Sequence, residues 1–144
     1  MKIAIGCDHA ALSLKDTIKK KFDTHDFIDC GTNSTESCDY PDFGKAVGEC
    51  VASKKADFGI VICGTGIGIS IAANKVKGVR AALCLNEFMA EMSRRHNNAN
   101  VLALGARVIG EELAMAIVKR WLESPFEAGR HELRVNKILE IENR

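Results

Sequence analysis

Residues 57 to 75, DFGIVICGTGIGISIAANK, carry the pattern that decides the fold. An apolar run of strand-forming residues ends at Cys63, and a turn rich in glycine follows it at once. Apolar and small residues then continue in a helical pattern as far as Lys75. A buried strand that passes through a glycine turn directly into a helix is typical of a parallel α/β sheet.

Other apolar runs of strand length, each bounded by Gly, Asn or Asp, lie on both sides of this segment. Helical patterns fill the gaps between them, over about 10–22, 41–55, 86–96, 110–124 and 130–142. Because the strands are apolar throughout rather than alternating, both faces of the sheet should be covered. We therefore predict a three-layer α/β/α sandwich with a five-stranded parallel, Rossmann-like sheet. The predicted strands are Lys2 to Cys7, Asp26 to Cys30, Asp57 to Cys63, Val79 to Cys84 and Asn100 to Leu104.

Composition limits both the domain count and the class of partner. The 144 residues are 47% hydrophobic and show no internal repeat or linker, so a single domain over 1–144 is expected. The formal net charge of +1 argues against a nucleic-acid partner. With no signal-peptide pattern and no apolar run of about 18 residues, no membrane association is expected, and we predict a cytoplasmic protein.

Six cysteines, at positions 7, 30, 38, 50, 63 and 84, form no C-x-x-C pair. The spacings of a zinc ribbon and of a thioredoxin-like redox site are therefore missing, and no structural metal is expected. In a cytoplasmic protein these thiols should be reduced. Since ligands of parallel sheets bind beyond the carboxyl ends of the strands, chemistry is expected after Cys7, Cys30, Cys63, Cys84 and Leu104.

The glycine turn after Cys63 fits neither common nucleotide loop. A dinucleotide fingerprint would need its third glycine where Ile69 stands, and the P-loop pattern is absent. A thiol phosphatase loop would need an arginine at the same place. The glycines and the helix start instead predict backbone amides that converge on an anionic oxygen beside a thiolate, which suits Cys63 as a base. A buried structural cysteine over a tight turn fits the same residues.

Polar residues in four further places suit a sugar phosphate. Asp8 and His9 follow the first strand, although Asp8 also fits a helix N-cap. The segment RRHNNAN, residues 94 to 100, ends a helix and fits either a ligand site or a structural cap. The remaining candidates are guanidinium groups, which clamp a phosphate or point to solvent: Arg107 after the fifth strand, and Arg130 and Arg134, four apart on one helical face.

Five segments, GCDHAA (6–11), DYPDFG (39–44), ICGTGIGISIAANK (62–75), RRHNNANVLALGARV (94–108) and GRHELRV (129–135), occur in order along nearly the whole chain. Together they resemble the family of ribose-5-phosphate isomerase B and its relatives that isomerise galactose 6-phosphate or allose 6-phosphate. The resemblance implies interconversion of ribose 5-phosphate and ribulose 5-phosphate, in the non-oxidative pentose phosphate pathway. The reaction uses neither metal nor organic cofactor and passes a proton between C2 and C1 through an enediolate.

The resemblance also implies a role for each site residue. Cys63 would remove the C2 proton, while Thr65 and the amides of the glycine turn would stabilise the enediolate oxygen. Some family members use a glutamate as the base where this chain has Ile69, so the chain is similar to the cysteine-dependent branch. His96 would help to open the sugar ring. The implied substrate-binding residues are Asp8, His9, Tyr40, Gly64, Gly66, Ile67, Gly68, Asn97, Arg107, Arg130 and Arg134.

In relatives the active site is assembled at a dimer interface, to which the segment equivalent to 94–107 contributes. The resemblance therefore implies a homodimer or a dimer of dimers whose subunits share active sites. Three alternatives remain: a hexose 6-phosphate isomerase on the same scaffold, a non-catalytic sugar-phosphate sensor, and a nucleotide-binding redox protein. The presence of Cys63, Thr65 and His96 disfavours the sensor, and the glycine spacing disfavours the redox protein.

Overall fold

A single parallel sheet of five strands, in the order β2-β1-β3-β5-β4, forms the middle layer of the molecule. The computed structural model describes all 144 residues. The predicted five-stranded parallel sheet is confirmed. Its strands are β1 (Lys2–Cys7), β2 (Asp26–Asp29), β3 (Phe58–Cys63), β4 (Ala81–Leu83) and β5 (Val101–Gly105).

Helices cover both faces of this sheet, as the apolar strands predicted. One face is packed by α2 and α3, and the other by α1, α4 and α5. The three-layer α/β/α arrangement is therefore confirmed. None of the helices is both long and apolar enough to cross a membrane. Their bounds are α1 (Leu12–Lys21), α2 (Tyr40–Ala52), α3 (Ile67–Asn74), α4 (Glu87–Arg95), α5 (Glu111–Glu123) and α6 (Arg130–Glu142).

Successive residues of β3 pack into two different cores. Ile60 and Ile62 lie in the core under α1, α4 and α5, whereas Val61 and Cys63 lie in the core under α2 and α3. Because side chains alternate across a strand, a strand covered on both faces must be apolar at every position. The first core includes Trp121, the largest fully buried side chain.

Several predicted boundaries differ from the structure by one to three residues, two of them for local reasons. The helix predicted from residue 10 begins with a 3-10 turn, His9–Ala11, because the Asp8 Oδ1 accepts a hydrogen bond from the Ala10 amide at 3.0 Å. The fourth strand is shorter than predicted. The Asn100 Oδ1 accepts the Arg80 amide at 2.7 Å, so a side chain replaces a neighbouring strand at that point.

The carboxyl ends of β1 and β3 mark the point where the chain changes faces. The helix that follows β1 packs on one face of the sheet, and the helix that follows β3 packs on the other. Helices that leave adjacent strands toward opposite faces open a crevice between the strand ends. Asp8 and the turn after Cys63 lie at this crevice, and the sequence predicted functional residues at both positions.

A buried lysine anchors the loop that enters this crevice. The fully buried Nζ of Lys15 donates to both carboxylate oxygens of Asp29 at 2.8 and 2.9 Å, to the Thr32 carbonyl at 2.6 Å and to the Asn33 Oδ1 at 2.8 Å. Burial alone would raise the pKa of Asp29, but hydrogen bonds from Lys15 and Lys19 outweigh it, and this pKa is lowered. Lys15 thus ties α1 to the end of β2 and to the start of the following loop.

Replacing Lys15 with methionine should lower the free energy of unfolding by about 3 kcal/mol, because a buried ion pair loses one partner. Urea unfolding at neutral pH measures the change. Lys19→Met is the matched control, since its Nζ also bonds Asp29 at 2.8 Å but its side chain is 34% exposed. That variant should lose less than about 1 kcal/mol. Equal losses in the two variants would contradict an anchoring role specific to Lys15.

Candidate active site

The thiol of Cys63 lies under the glycine turn at the end of β3. The residue is 4% exposed, and its Sγ accepts a hydrogen bond from the Gly66 amide at 3.2 Å. Gly66 has the left-handed φ of 79°. A Cβ at this position would lie 2.6 Å from the Leu83 Cδ1 and 2.8 Å from the Leu104 carbonyl carbon. Only glycine therefore lets the turn fold back so that a backbone amide reaches the sulfur.

Thr65 is held at the tip of this turn, directly against the end of β5. A Cβ on Gly105 would lie only 2.4 Å from the Thr65 carbonyl oxygen, so the two backbones are in direct contact. The Thr65 hydroxyl oxygen accepts the Ile67 amide at 3.1 Å, which caps the start of α3. The threonine hydroxyl keeps its proton available for a ligand in the crevice.

The surroundings of the turn favour a negative charge. The Gly68 and Ile69 amides, in the first turn of α3, donate no hydrogen bond to the rest of the chain. Such amides form an anion site together with the helix dipole. The guanidinium of Arg107 lies against Gly64, where a Cβ would be 3.4 Å from the Arg107 Nη1. This arrangement can hold an anionic oxygen next to the thiol.

The side chain of Ile69 points away from the crevice. Ile69 is fully buried among the residues packed under α2 and α3, and its Cγ1 lies 3.2 Å from where a Cβ on Gly44 would stand. An apolar side chain cannot exchange a proton. Of these two residues of the turn, only Cys63 therefore has a side chain that can exchange a proton.

Tyr40, the first residue of α2, lies over the start of α3. A Cβ on Gly68 would come within 2.6 Å of the Tyr40 ring and 2.9 Å of its hydroxyl oxygen. Tyr40 is 41% exposed. A glycine at position 68 is needed here for close packing.

Asp8 and His9 lie beside Cys63 on the neighbouring strand end. Cys7 pairs with Ile62 in the sheet, and the Asp8 amide donates to the Ile62 carbonyl at 3.2 Å. The Nδ1 of His9 accepts the Cys38 amide at 3.2 Å. An amide can only donate, so the ring proton is on Nε2, which leaves that nitrogen as a hydrogen-bond donor. Asp8 serves as the N-cap that the sequence allowed, and its second oxygen remains free for a ligand.

The remaining predicted residues lie at the opposite edge of the sheet. His96 and Asn97 end α4 just before β5 begins, while Cys63 pairs with Gly105 at the other end of that strand. Four residue steps along the strand separate these edges, which corresponds to about 13 Å. Arg130 and Arg134 accompany His96, because α6 begins against the end of α4. A single chain therefore does not bring these four residues to Cys63.

Arg94 and His131, which the sequence did not indicate as functional, make packing contacts at this opposite edge of the sheet. The buried guanidinium of Arg94 donates to the Ala99 carbonyl at 2.6 Å and lies 4.5 Å above the ring of Phe58. The ring of His131 stacks on that of His96, with centroids 4.1 Å apart. Burial, together with His96 and Arg130, lowers the pKa of His131. Neither role has a sequence signal, since both depend on contacts between distant elements.

One cluster at this edge has the side chains of a metal site. His96, Glu127 and His131 each bring one ligand atom to within 4.8 Å of the others. Glu127, however, is already bound by Arg95, and the two imidazole rings are parallel, so their lone pairs do not converge on one point. We interpret the cluster as the packing of α6 onto the end of α4.

Comparison with protein families identifies similarity over almost the whole chain. Residues 3–138 match the model of the ribose/galactose isomerase family. The chain is 50% identical to ribose-5-phosphate isomerase B of Escherichia coli, over 99% of this chain and 97% of that protein.

Solved structures agree with this match. The ribose-5-phosphate isomerase B of Clostridium thermocellum superimposes with a TM-score of 0.97 at 58% identity, covering 99% of this chain and 98% of that one. The enzyme of Mycoplasma genitalium, whose structure contains bound ribulose-5-phosphate, gives a TM-score of 0.95 at 42% identity over 99% and 97% of the two chains.

Gly66→Ala should lower both stability and any activity of the site, because a left-handed residue with a Cβ costs about 1–3 kcal/mol before the contact with Leu83 is counted. Thermal unfolding and turnover measure the two effects. Gly110→Ala is the control, since nothing lies within 4 Å of its Cβ position, and it should lose less than about 1 kcal/mol. A Gly66→Ala variant with unchanged stability and turnover would show that the left-handed turn is dispensable.

Proposed function

This chain belongs to the ribose/galactose isomerase family, and on that premise we propose that it interconverts ribose 5-phosphate and ribulose 5-phosphate. The observation that carries the proposal is the Cys63 thiol, placed under a turn of backbone amides at the point where the chain changes faces. The bound ribulose-5-phosphate of the Mycoplasma genitalium relative supports a five-carbon substrate.

In the proposed mechanism Cys63 acts as a thiolate on the open-chain sugar. It takes the proton from C2, and the electron pair moves toward C1, so negative charge develops on the carbonyl oxygen. The Gly68 and Ile69 amides and the Thr65 hydroxyl would stabilise that oxygen. The proton then returns to C1, and a matching proton shift from O2 to O1 completes the isomerisation. A carbon-bound proton is a poor acid, so the anion site matters as much as the base.

Residues around the crevice are assigned to binding. Asp8 and Tyr40 would contact the sugar, since both present polar atoms beside the turn. His9 would donate from Nε2 to the phosphate, and Arg107 would contribute charge from its place against Gly64. These roles come from the family resemblance, and the positions of the residues around one crevice support them.

The other four residues would come from a second copy of the chain. His96 would open the sugar ring, Asn97 would hold the sugar, and Arg130 and Arg134 would complete the phosphate site. Because these groups lie about 13 Å or more from Cys63 in their own chain, only a partner's copies can join it. Exposed Ile67 and Ile71 on α3 support an interface of this kind. The proposed assembly is a homodimer or a dimer of dimers.

The same proposal places the protein in the cytoplasm. All six cysteines are free in the structure, and disulfides are rare in reducing compartments. A base that must be a thiolate also needs a compartment in which it stays reduced.

Proton NMR with ribose 5-phosphate in heavy water tests the proposed function. Ribulose 5-phosphate should form, and solvent deuterium should enter at the carbon that receives the proton. Allose 6-phosphate and galactose 6-phosphate, supplied in parallel, should be converted more slowly, because a pocket built for five carbons places the sixth badly. If only a hexose phosphate is converted, that sugar phosphate replaces ribose 5-phosphate as the proposed substrate. If none of the three sugar phosphates is converted, the sensor is favoured.

In the same assay Cys63→Ala should lower turnover by roughly a thousand-fold, as expected when a general base is removed. Ribulose 5-phosphate should still bind, which calorimetry measures. Cys84→Ala is the matched control, since Cys84 is also buried at a strand end but contacts Ser93 in the other core. Near wild-type turnover of the Cys63 variant would remove this residue from the mechanism.

Mixing two inactive variants tests the shared site. Cys63→Ala and His96→Ala should each be inactive alone, but a mixed dimer holds one site with both residues intact. Refolding or subunit exchange of an equal mixture should restore about a quarter of wild-type activity, because half of the dimers are mixed and each has one working site. No recovery, with mixed dimers demonstrated by mass spectrometry, would contradict sharing between subunits.

A further inference from the structure

Cys30 and Cys50 bring two thiols into contact outside the candidate active site. Their Sγ atoms lie 3.9 Å apart, although 20 positions separate them along the chain. Cys30 directly follows β2, and Cys50 lies near the end of α2. The other four thiols contact oxygen or nitrogen atoms instead. Cys30 and Cys50 therefore form the one thiol pair of the molecule.

A small oxidant can reach this pair from solvent. Both residues are partly exposed, and they share a surface groove of about 370 Å³. Its residues Glu49, Cys50 and Ser53 lie at or just beyond the C-terminal end of α2, whereas Tyr40 begins that helix. Its lining residues are Cys30, Ala46, Glu49, Cys50, Ser53 and Lys55.

We propose that Cys30 and Cys50 are a redox modification site, at which hydrogen peroxide or a related peroxide forms a reversible disulfide. The two sulfur atoms need only close a gap of 3.9 Å, which rotation about the Cα–Cβ bonds can provide. The site is independent of Cys63 and of the proposed isomerisation.

The two thiols have different tasks in this oxidation. Burial, reinforced by the neighbouring Cys50, raises the pKa of Cys30 to about 12, so Cys30 is protonated at neutral pH. The attack on the peroxide is therefore assigned to the Cys50 sulfur. It attacks one peroxide oxygen, the O–O bond breaks, and hydroxide leaves and takes up a proton to form water. Cys50 is now a sulfenic acid.

The Cys30 sulfur then attacks the Cys50 sulfur. The S–O bond breaks, and the hydroxyl of the sulfenic acid leaves with the Cys30 proton as a second water. Two sulfur atoms have been oxidised and one peroxide has been reduced to two waters. The new bond joins the end of β2 to α2 around the loop that leads to Tyr40, and it restricts the unfolded chain.

Peptide mapping of the full-length protein tests this inference. The reduced protein is treated with hydrogen peroxide, alkylated and digested with trypsin without reductant. The expected product links residues 22–45 to residues 46–54, and dithiothreitol should release it. Oxidised wild type should also unfold at a temperature several degrees above the reduced form, whereas Cys50→Ala should show no such difference.

Two variants assign the linkage. Peptide 22–45 also contains Cys38, so the link must survive in Cys38→Ser and disappear in Cys30→Ser. Cys84→Ala, which removes a buried thiol with no sulfur neighbour, should keep it. The inference is overturned if peroxide leaves residues 22–45 and 46–54 unlinked in wild type, or if the link depends on Cys38. Neither result bears on the isomerase assay, so the two proposals can fail separately.

Discussion

Parallel pairing of β1 with β3 is the constraint on which the candidate site depends. Register pairs from Ile3 with Phe58 to Cys7 with Ile62 place the two carboxyl ends side by side. The chain then leaves these ends toward opposite faces of the sheet, and the resulting crevice holds Asp8 and the turn of Cys63. Shifting this register by one residue would exchange the faces of β3 and move Cys63 into the other core. The packing of apolar residues in both cores therefore fixes the position of Cys63 and of the turn that follows it.

Much of this arrangement could be predicted because it is local. The strand that ends in Cys63, the glycine turn and the following helix are encoded in consecutive residues, and alternating strands and helices lead directly to a parallel sheet. Contacts between residues that are distant in the sequence could not be predicted in this way. The burial of Lys15 with Asp29, the place of Arg94 above Phe58 and the stacking of His131 on His96 each join separate elements. The short β4 likewise results from the hydrogen bond that the Asn100 side chain accepts from the Arg80 amide.

The predicted site residues lie at two edges of the sheet, with a different set of side chains at each edge. The crevice edge contains the thiol, the amides and one arginine. The opposite edge contains His96, His131 and two arginines, and Arg94 and the start of α6 pack against it. Similarity to known isomerases extends over both edges, with 58% identity to the Clostridium thermocellum enzyme. The separation explains why motif spacing alone could not show which of the predicted residues lie together in one chain.

Trp121 provides an intrinsic fluorescence probe of this opposite edge of the sheet. It is the only tryptophan of the chain and is fully buried, with its ring 5.1 Å from Phe58 and 5.5 Å from the guanidinium carbon of Arg94. Its indole N–H has no hydrogen-bond partner. Intrinsic fluorescence excited in the indole band therefore comes from a single, dry environment next to the turn that holds His96. Any event that loosens this turn will shift the emission toward longer wavelengths, without the addition of an extrinsic dye.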